Sequence, residues 1–202
     1  MTMQIVLATR NLHKAQELER ILNEQNLEIE ILTIDKFPNA PDVPETEDTF
    51  EGNALLKAVA LSKYTGLPAI ADDSGICIDA LGGSPGVLSA RWSGATENVD
   101  QANLNLVLEQ MEAITEDKRG AQFVCAAVAV FPDGRQLISR GTVDGQITRA
   151  PKGTHGFGYD PIFQPNGLTK TTAEMSASEK DSISHRGLAL RDLASQLRKA
   201  IS

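Results

Sequence analysis

The sequence predicts an α/β fold. Apolar runs of strand length stand at residues 3–8, 68–71 and 123–131. Other segments repeat their apolar residues at helical spacing. The first strand passes through a short polar turn straight into a helix, which is how a sheet covered by helices begins.

Residues 3–8 read as a buried strand and lead into Thr9, Arg10, Asn11, Leu12, His13 and Lys14. Asn11 is placed to cap a helix whose inner stripe is Ala15, Leu18, Ile21 and Leu22. Free N–H groups at such a helix start, with Lys14 in the first turn, suit an anion; a merely capped helix with a solvated Lys14 is the plainer alternative. Residues 28–34 alternate well enough for a second strand. An acidic, proline-bearing loop follows at 35–48, with Glu45, Glu47 and Asp48 as candidate metal ligands. Thr49 starts a helix with Glu51 in its first turn and Ala54, Leu55, Ala58 and Leu61 inward. Gly66 is its expected C-terminal cap, with Pro68 just beyond. Lys57 lies beside the apolar stripe.

The run 68–71 ends in Asp72, Asp73, Ser74 and Gly75, which reads as a strand end opening into a site, with a plain polar turn as the equal alternative. Adjacent strand residues point to opposite faces, so one carboxylate enters the site and the other braces it or reaches in as the strand bends. A further strand is expected over 76–81 and a turn at 82–86, while 87–92 is ambiguous. Asn98 and Gln101 fit a variant capping box for a helix to about residue 113. Residues 123–131 are apolar throughout and so central in the sheet; a turn at 132–134 returns the chain as a partner strand over 135–143, with another short strand at 145–150. Within 153–163 three glycines interleave with Phe157 and Tyr159, which suggests a loop folded against something flat or, equally, a well-packed aromatic turn. Thr171 and Glu174 mark another capping box. Lys180, His185 and Arg186 gather donors where the last helix opens, with Leu190, Leu193 and Leu197 as its core stripe; a solvated charge cluster is the competing reading.

Composition narrows the function. Hydrophobic residues make up 41% of the 202, enough for a packed interior. The formal net charge of −8 argues against nonspecific binding to nucleic acid or an anionic membrane, but not against a small phosphorylated ligand. Cys77 and Cys125 sit in apolar runs and are expected to be buried and reduced, and no Cys/His spacing suits zinc. With no signal-peptide pattern or membrane-length apolar run, a soluble cytoplasmic protein is expected. No linker separates independent domains, so residues 1–202 read as one domain, with the 35–48 loop as the best hinge.

Taken together, residues 9–14, Thr49-Phe50 with Asn53-Ala54 and Lys57-Ala58, residues 71–75, Leu81-Gly82-Gly83 with Pro85-Gly86, residues 156–161 and residues 184–187 resemble the inosine triphosphate pyrophosphatase family. The resemblance spans essentially the whole chain. It implies hydrolysis of noncanonical purine nucleoside triphosphates to monophosphate and pyrophosphate, with Mg²⁺, in a homodimer. It also implies roles. Thr9, Arg10, Asn11, Leu12, His13 and Lys14 would hold the triphosphate, with Lys57 near it. Asp73 would be the base and a metal ligand, and Glu45 the loop carboxylate of the metal site. Ser74 would touch substrate, Phe157, Gly158, Tyr159 and Asp160 would frame the nucleoside, and Lys180, His185 and Arg186 would read the base. The chain departs from the family at Gly52, where Glu is common, and at Arg10, where small residues are frequent. The fold expected on this footing is an elongated mixed central sheet flanked by helices, with two lobes and the active-site cleft between them.

The residue chemistry agrees independently. Carboxylates with phosphate oxygens suit Mg²⁺. Phosphoryl transfer needs positioning and charge neutralisation more than covalent chemistry. Donors such as Lys180 or Arg186 would favour a 6-oxo purine over adenine, whose amino group would leave buried groups poorly paired. An aspartyl-phosphate phosphatase is the nearest rival enzyme, although its two aspartates are usually one residue apart; a nucleotide sensor without turnover is the rival from outside enzymology.

Overall fold

The computed structural model describes residues 2–25 and 27–201. Its elements are β1 (Met3–Leu7), α1 (Leu12–Asn23), β2 (Ile29–Thr33), α2 (Phe50–Thr65), β3 (Ala69–Ile78), α3 (Val99–Gln110), β4 (Gly120–Val130), β5 (Gln136–Ile147), β6 (Phe163–Pro165), α4 (Ala177–Ile183) and α5 (His185–Ile201). They form a six-stranded sheet of order β2-β1-β3-β4-β5-β6 with helices packed against it. The sheet is mixed: β1 runs parallel to both β2 and β3, whereas β5 and β6 are antiparallel. No helix among the described residues is long and apolar enough to cross a membrane.

The chain divides into two compact units. The first holds Met1–Asp73, Cys125–Gly141 and Arg186–Ser202; the second holds Ser74–Val124 and Thr142–His185. The divisions fall inside β3, β4 and β5 and at the start of α5, and not in the 35–48 loop, which lies wholly in the first unit.

Strand periodicity organises the first unit. Ile5, Leu7, Ile70, Cys125, Ala127 and Ala129 share a cluster with Leu18, Ile21 and Leu22 of α1 and Ala189, Leu190, Leu193 and Leu197 of α5. The alternate residues Ala71, Val128 and Val130 pack instead on Ala54 and Ala58 of α2. One sheet face therefore carries α1 and α5 and the other carries α2, as a period of two requires. Thr49 caps α2 by accepting from Gly52 N–H, and Gly66 ends it at φ 70°.

The second unit packs Ile76, Ile78, Phe123, Ile147 and Phe163 against Leu104, Val107 and Met111 of α3. Arg119, 1% exposed, pins this unit through carbonyls: Nη1 donates to Met111 O at 2.6 Å, Nε to Ile147 O at 2.7 Å and Nη2 to Thr148 O at 3.0 Å. These bonds satisfy acceptors just past the end of α3 and at the end of β5.

Several expectations change. The carboxylates at 72 and 73 lie inside one ten-residue strand, β3, so the two strands expected around them are continuous. Asp and Gly are poor strand formers, but pairing within the sheet overrides that preference. Likewise β5 runs through Gly145 to Ile147, absorbing most of the separate strand expected at 145–150. Asn98 precedes α3 in the left-handed region at φ 47° and makes no side-chain cap bond, so the expected box is not formed there. The Thr171–Glu174 box is formed, though on a single 3₁₀ turn. Residues 86–91 are 3₁₀ helix. Cys125 is buried, but Cys77 is only partly so.

Candidate active site

The two adjacent aspartates of β3 diverge along the faces just described. Asp72 turns to α1 and α5. Its Oδ2 lies 3.2 Å from Lys14 Nζ and 3.3 Å from Arg186 Nε, and Arg186 Nη1 also donates to Glu17 of α1. Arg186 is 2% exposed. Burial pulls its pKa down, but the charges of Asp72 and Glu17 outweigh that and raise it, so the guanidinium stays charged.

Asp73 turns to α2. Asn53 Nδ2 donates to Asp73 Oδ2 at 3.1 Å, and Lys57 Nζ stands 3.7 Å from Oδ1. The same ammonium donates to Glu45 Oε1 at 2.8 Å, so one cation joins the strand carboxylate to the loop carboxylate. Asn53 and Lys57 are four residues apart, on one face of α2. Desolvation raises the Asp73 pKa to about 6; Lys57 pulls against it, Glu45 adds to it, and Lys14 and Asn53 oppose it. Burial lowers the Lys57 pKa, but Asp72, Asp73 and Glu45 overcome this and raise it.

The N-terminus of α1 is arranged as its sequence implies. Thr9 Oγ1 accepts from Asn11 N–H at 3.2 Å, and Asn11 Oδ1 accepts from Lys14 N–H at 3.1 Å. Leu12 and His13 are exposed at this helix start. Arg10 donates to Ala40 O at 2.8 Å and so ties the turn to the acidic loop. Glu51 pairs with Arg140 at 2.7 Å. A Cβ at Gly52 would lie 2.7 Å from Glu47 Cβ and 2.9 Å from Thr49 Oγ1, so the Glu47 stem covers the position where the family commonly has Glu.

A second constellation stands in the second unit. Asp160 Oδ2 accepts from Lys180 Nζ at 2.7 Å and from Phe157 N–H at 2.9 Å, and Oδ1 accepts from Thr172 Oγ1 at 2.8 Å. Lys180 Nζ also stands 5.1 Å from the centre of the Phe157 ring, a cation–π distance. The loop is tied down on both sides: Gly158 N–H donates to Asp100 at 3.0 Å, and Tyr159 OH to Ser89 O at 2.8 Å. The His185 ring stacks on Phe123 at 4.6 Å. Ser74 is half-buried in β3.

Of the residues singled out in sequence, Lys14, Glu45, Lys57, Asp73 and Arg186 thus belong to the first unit's constellation, and Phe157, Gly158, Tyr159, Asp160 and Lys180 to the second's. Lys180, His185 and Arg186 are all buried, which overturns the solvated-cluster reading. Sequence reasoning assigned no role to Asn53, Glu17, Thr172 or Asp100. Asn53 and Glu17 leave a trace, since each is a polar residue beside an apolar helix stripe; Thr172 and Asp100 leave none.

The donors of the first unit fit a hard divalent cation. Glu45 and Asp73 offer carboxylate oxygen, and no soft ligand stands among the residues described around them. Among the described residues no group of three His, Cys, Asp or Glu side chains is arranged to hold a metal alone. Mg²⁺ commonly takes one or two carboxylates and fills its shell with phosphate oxygens and water.

Comparison with known proteins gives a consistent result. The family profile described as the Ham1 family matches residues 5–196. A dITP/XTP pyrophosphatase of Streptomyces avermitilis is 51% identical over 198 residues, 98% of each chain. One from Mycobacteroides abscessus is 46% identical over 201 residues, 99% of this chain and 97% of the other. Among solved structures, a HAM1 protein from Coxiella burnetii superposes with a TM-score of 0.87 at 41% identity, covering 98% of this chain and 99% of that one.

Proposed function

The chain belongs to the Ham1 family, and from that membership we propose that it hydrolyses the noncanonical purine nucleoside triphosphates ITP, dITP and XTP to the nucleoside monophosphate and pyrophosphate. The removal of such nucleotides before their incorporation into DNA or RNA is the role this activity serves. The observation that carries the reading is the opposite orientation of Asp72 and Asp73. One aspartate holds the Lys14 ammonium at the start of α1, a cation suited to a polyanion, and the other faces a second carboxylate across Lys57.

We assign the triphosphate to the first constellation. N–H groups at the start of α1 and the Lys14 ammonium take its oxygens. Asp73 accepts the proton of the attacking water as that water's oxygen bonds to the α-phosphorus. The bond from the α-phosphorus to the bridging oxygen breaks, and pyrophosphate leaves with both electrons of that bond. Lys57 offsets charge gathering beside the two carboxylates. Mg²⁺ held by Glu45 and Asp73 supplies further charge neutralisation when bound.

The second constellation is assigned to the nucleoside. Phe157 offers a ring face, and Lys180 offers donors to a 6-oxo purine. Family membership also supports a homodimer acting on the cytoplasmic nucleotide pool; light scattering on the purified protein tests the first of these.

The deciding experiment incubates the protein with Mg²⁺ and, separately, ITP, XTP, dITP, GTP, ATP and dTTP, beside an Asp73→Asn control. Pyrophosphate and monophosphate from the first three, lost in the control, is the expected result. Inorganic phosphate with a diphosphate product would mean attack at the γ-phosphorus and a different enzyme.

A further inference from the structure

Asn53 is completely buried in the first turn of α2, and its whole amide is engaged. Oδ1 accepts from Glu47 N–H at 2.9 Å, while Nδ2 donates to Glu47 O at 3.2 Å and to Asp73 Oδ2 at 3.1 Å. The side chain therefore pairs with the Glu47 backbone as a neighbouring strand would, and spends its remaining hydrogen on the aspartate. Glu47 is two residues from Glu45 in the same loop. One rigid planar group thus fixes the stretch of loop next to one carboxylate and the orientation of the other.

The bond also distinguishes the two oxygens of Asp73. Oδ2 lies against Asn53, and Oδ1 is on the side of Lys57, whose ammonium holds Glu45. A carboxylate turned about its last bond would lose that distinction. Burial explains why an amide is used: Asn supplies donors and an acceptor in one plane with no charge to desolvate.

We infer that Asn53 is a positioning residue for the metal-binding pair, holding the Glu45 loop in register with Asp73 and keeping Asp73 Oδ1 turned towards Glu45. The inference rests on the function proposed above. Outer partners of ligating carboxylates typically change metal affinity or activity about 10–100-fold when removed.

The test compares wild type, Asn53→Ala and Asn53→Asp. Asn53→Asp keeps an acceptor for Glu47 N–H but loses the donor to Asp73. Three readings are taken: Mn²⁺ binding to protein alone by electron paramagnetic resonance, the Mg²⁺ concentration giving half-maximal ITP turnover, and the melting temperature in chelator. Both variants are expected to weaken Mn²⁺ binding and raise the Mg²⁺ requirement by about tenfold or more. ITP turnover at saturating Mg²⁺ should recover towards wild type, and melting should shift by only a few degrees. Folded variants with wild-type metal dependence would overturn the inference, as would tighter Mn²⁺ binding in Asn53→Asp, since the position would then be a ligand. Failure of both variants to fold would overturn it too, because Asn53 would then serve the fold. A wild-type protein that binds Mn²⁺ but hydrolyses no nucleotide would instead sink the proposed function, while the Mn²⁺ comparison still judges Asn53.

Discussion

Asp72 and Asp73 are neighbours in β3, yet Asp72 accepts the charges of Lys14 and Arg186 while Asp73 faces Asn53 and Lys57 of α2. Pleating alone separates them. Their substitutions should fail differently. Asp73→Asn should lower ITP turnover about 10²–10⁴-fold with KM little changed, the range for loss of a general base. Asp72→Asn leaves a buried guanidinium short of a counter-charge and should cost about 3–5 kcal/mol of stability. Steady-state kinetics beside denaturant unfolding separates the two.

Stability should carry the opposite sign at Asp73. Its folded pKa of about 6 lies above the ordinary carboxylate value, so the fold favours the protonated form. That contribution is complete below the unfolded pKa, about 3.9, and is lost as pH rises through about 6. In chelator at pH 7.5 the ionised group then opposes folding by roughly 2–3 kcal/mol. Asp73→Asn should therefore stabilise the protein at pH 7.5, with the gain shrinking towards pH 4.5. Urea unfolding at both values checks this, and equal gains at both would contradict it.

Lys57 joins Glu45 to Asp73 by its ammonium. Lys57→Met should reduce kcat by at least about tenfold and leave the inosine-to-adenine preference unchanged, because the base is assigned elsewhere. A panel of kcat/KM values on ITP and ATP reads both effects.

Asp160 holds Lys180 with a charge-assisted bond and holds Phe157 N–H with the same oxygen. Asp160→Asn should weaken that pairing by about 1.5–3 kcal/mol and lower the ITP-over-ATP ratio of kcat/KM by about tenfold or more. Gly156→Ala should raise KM for ITP, since Gly156 sits at φ 73° and a Cβ there would run into the Asp160 carboxylate.

Much of this arrangement was legible in the sequence because it follows from short-range rules. Period-two reading assigned Asp72 and Asp73 to different faces, and Asn11, Thr49 and Gly66 sit at the helix ends their chemistry implies. Family resemblance named the substrate class, which no local rule reaches. The failures have a physical pattern. Lys180, His185 and Arg186 lie close in sequence, but one pairs with Asp160, one stacks on Phe123 and one pairs with Asp72 and Glu17. Burial of a charge depends on partners far along the chain, and nothing local announces it. β6 and α4 were missed because three and seven residues carry too little periodicity to read.

Arg119 spends its positive charge on backbone carbonyls inside the second unit. It counts among the 19 basic residues but presents almost nothing to solvent. Among the described residues the buried acids Glu17, Asp72, Asp73, Asp160 and Asp181 outnumber the buried bases Arg119, Lys180 and Arg186, so the water-facing surface is still acidic, though somewhat less so than the formal charge of −8 conveys. A triphosphate then approaches against the long-range field and is captured only at close quarters. Added inert salt should consequently quicken encounter before it weakens the final grip, giving a kcat/KM that first rises and then falls with ionic strength.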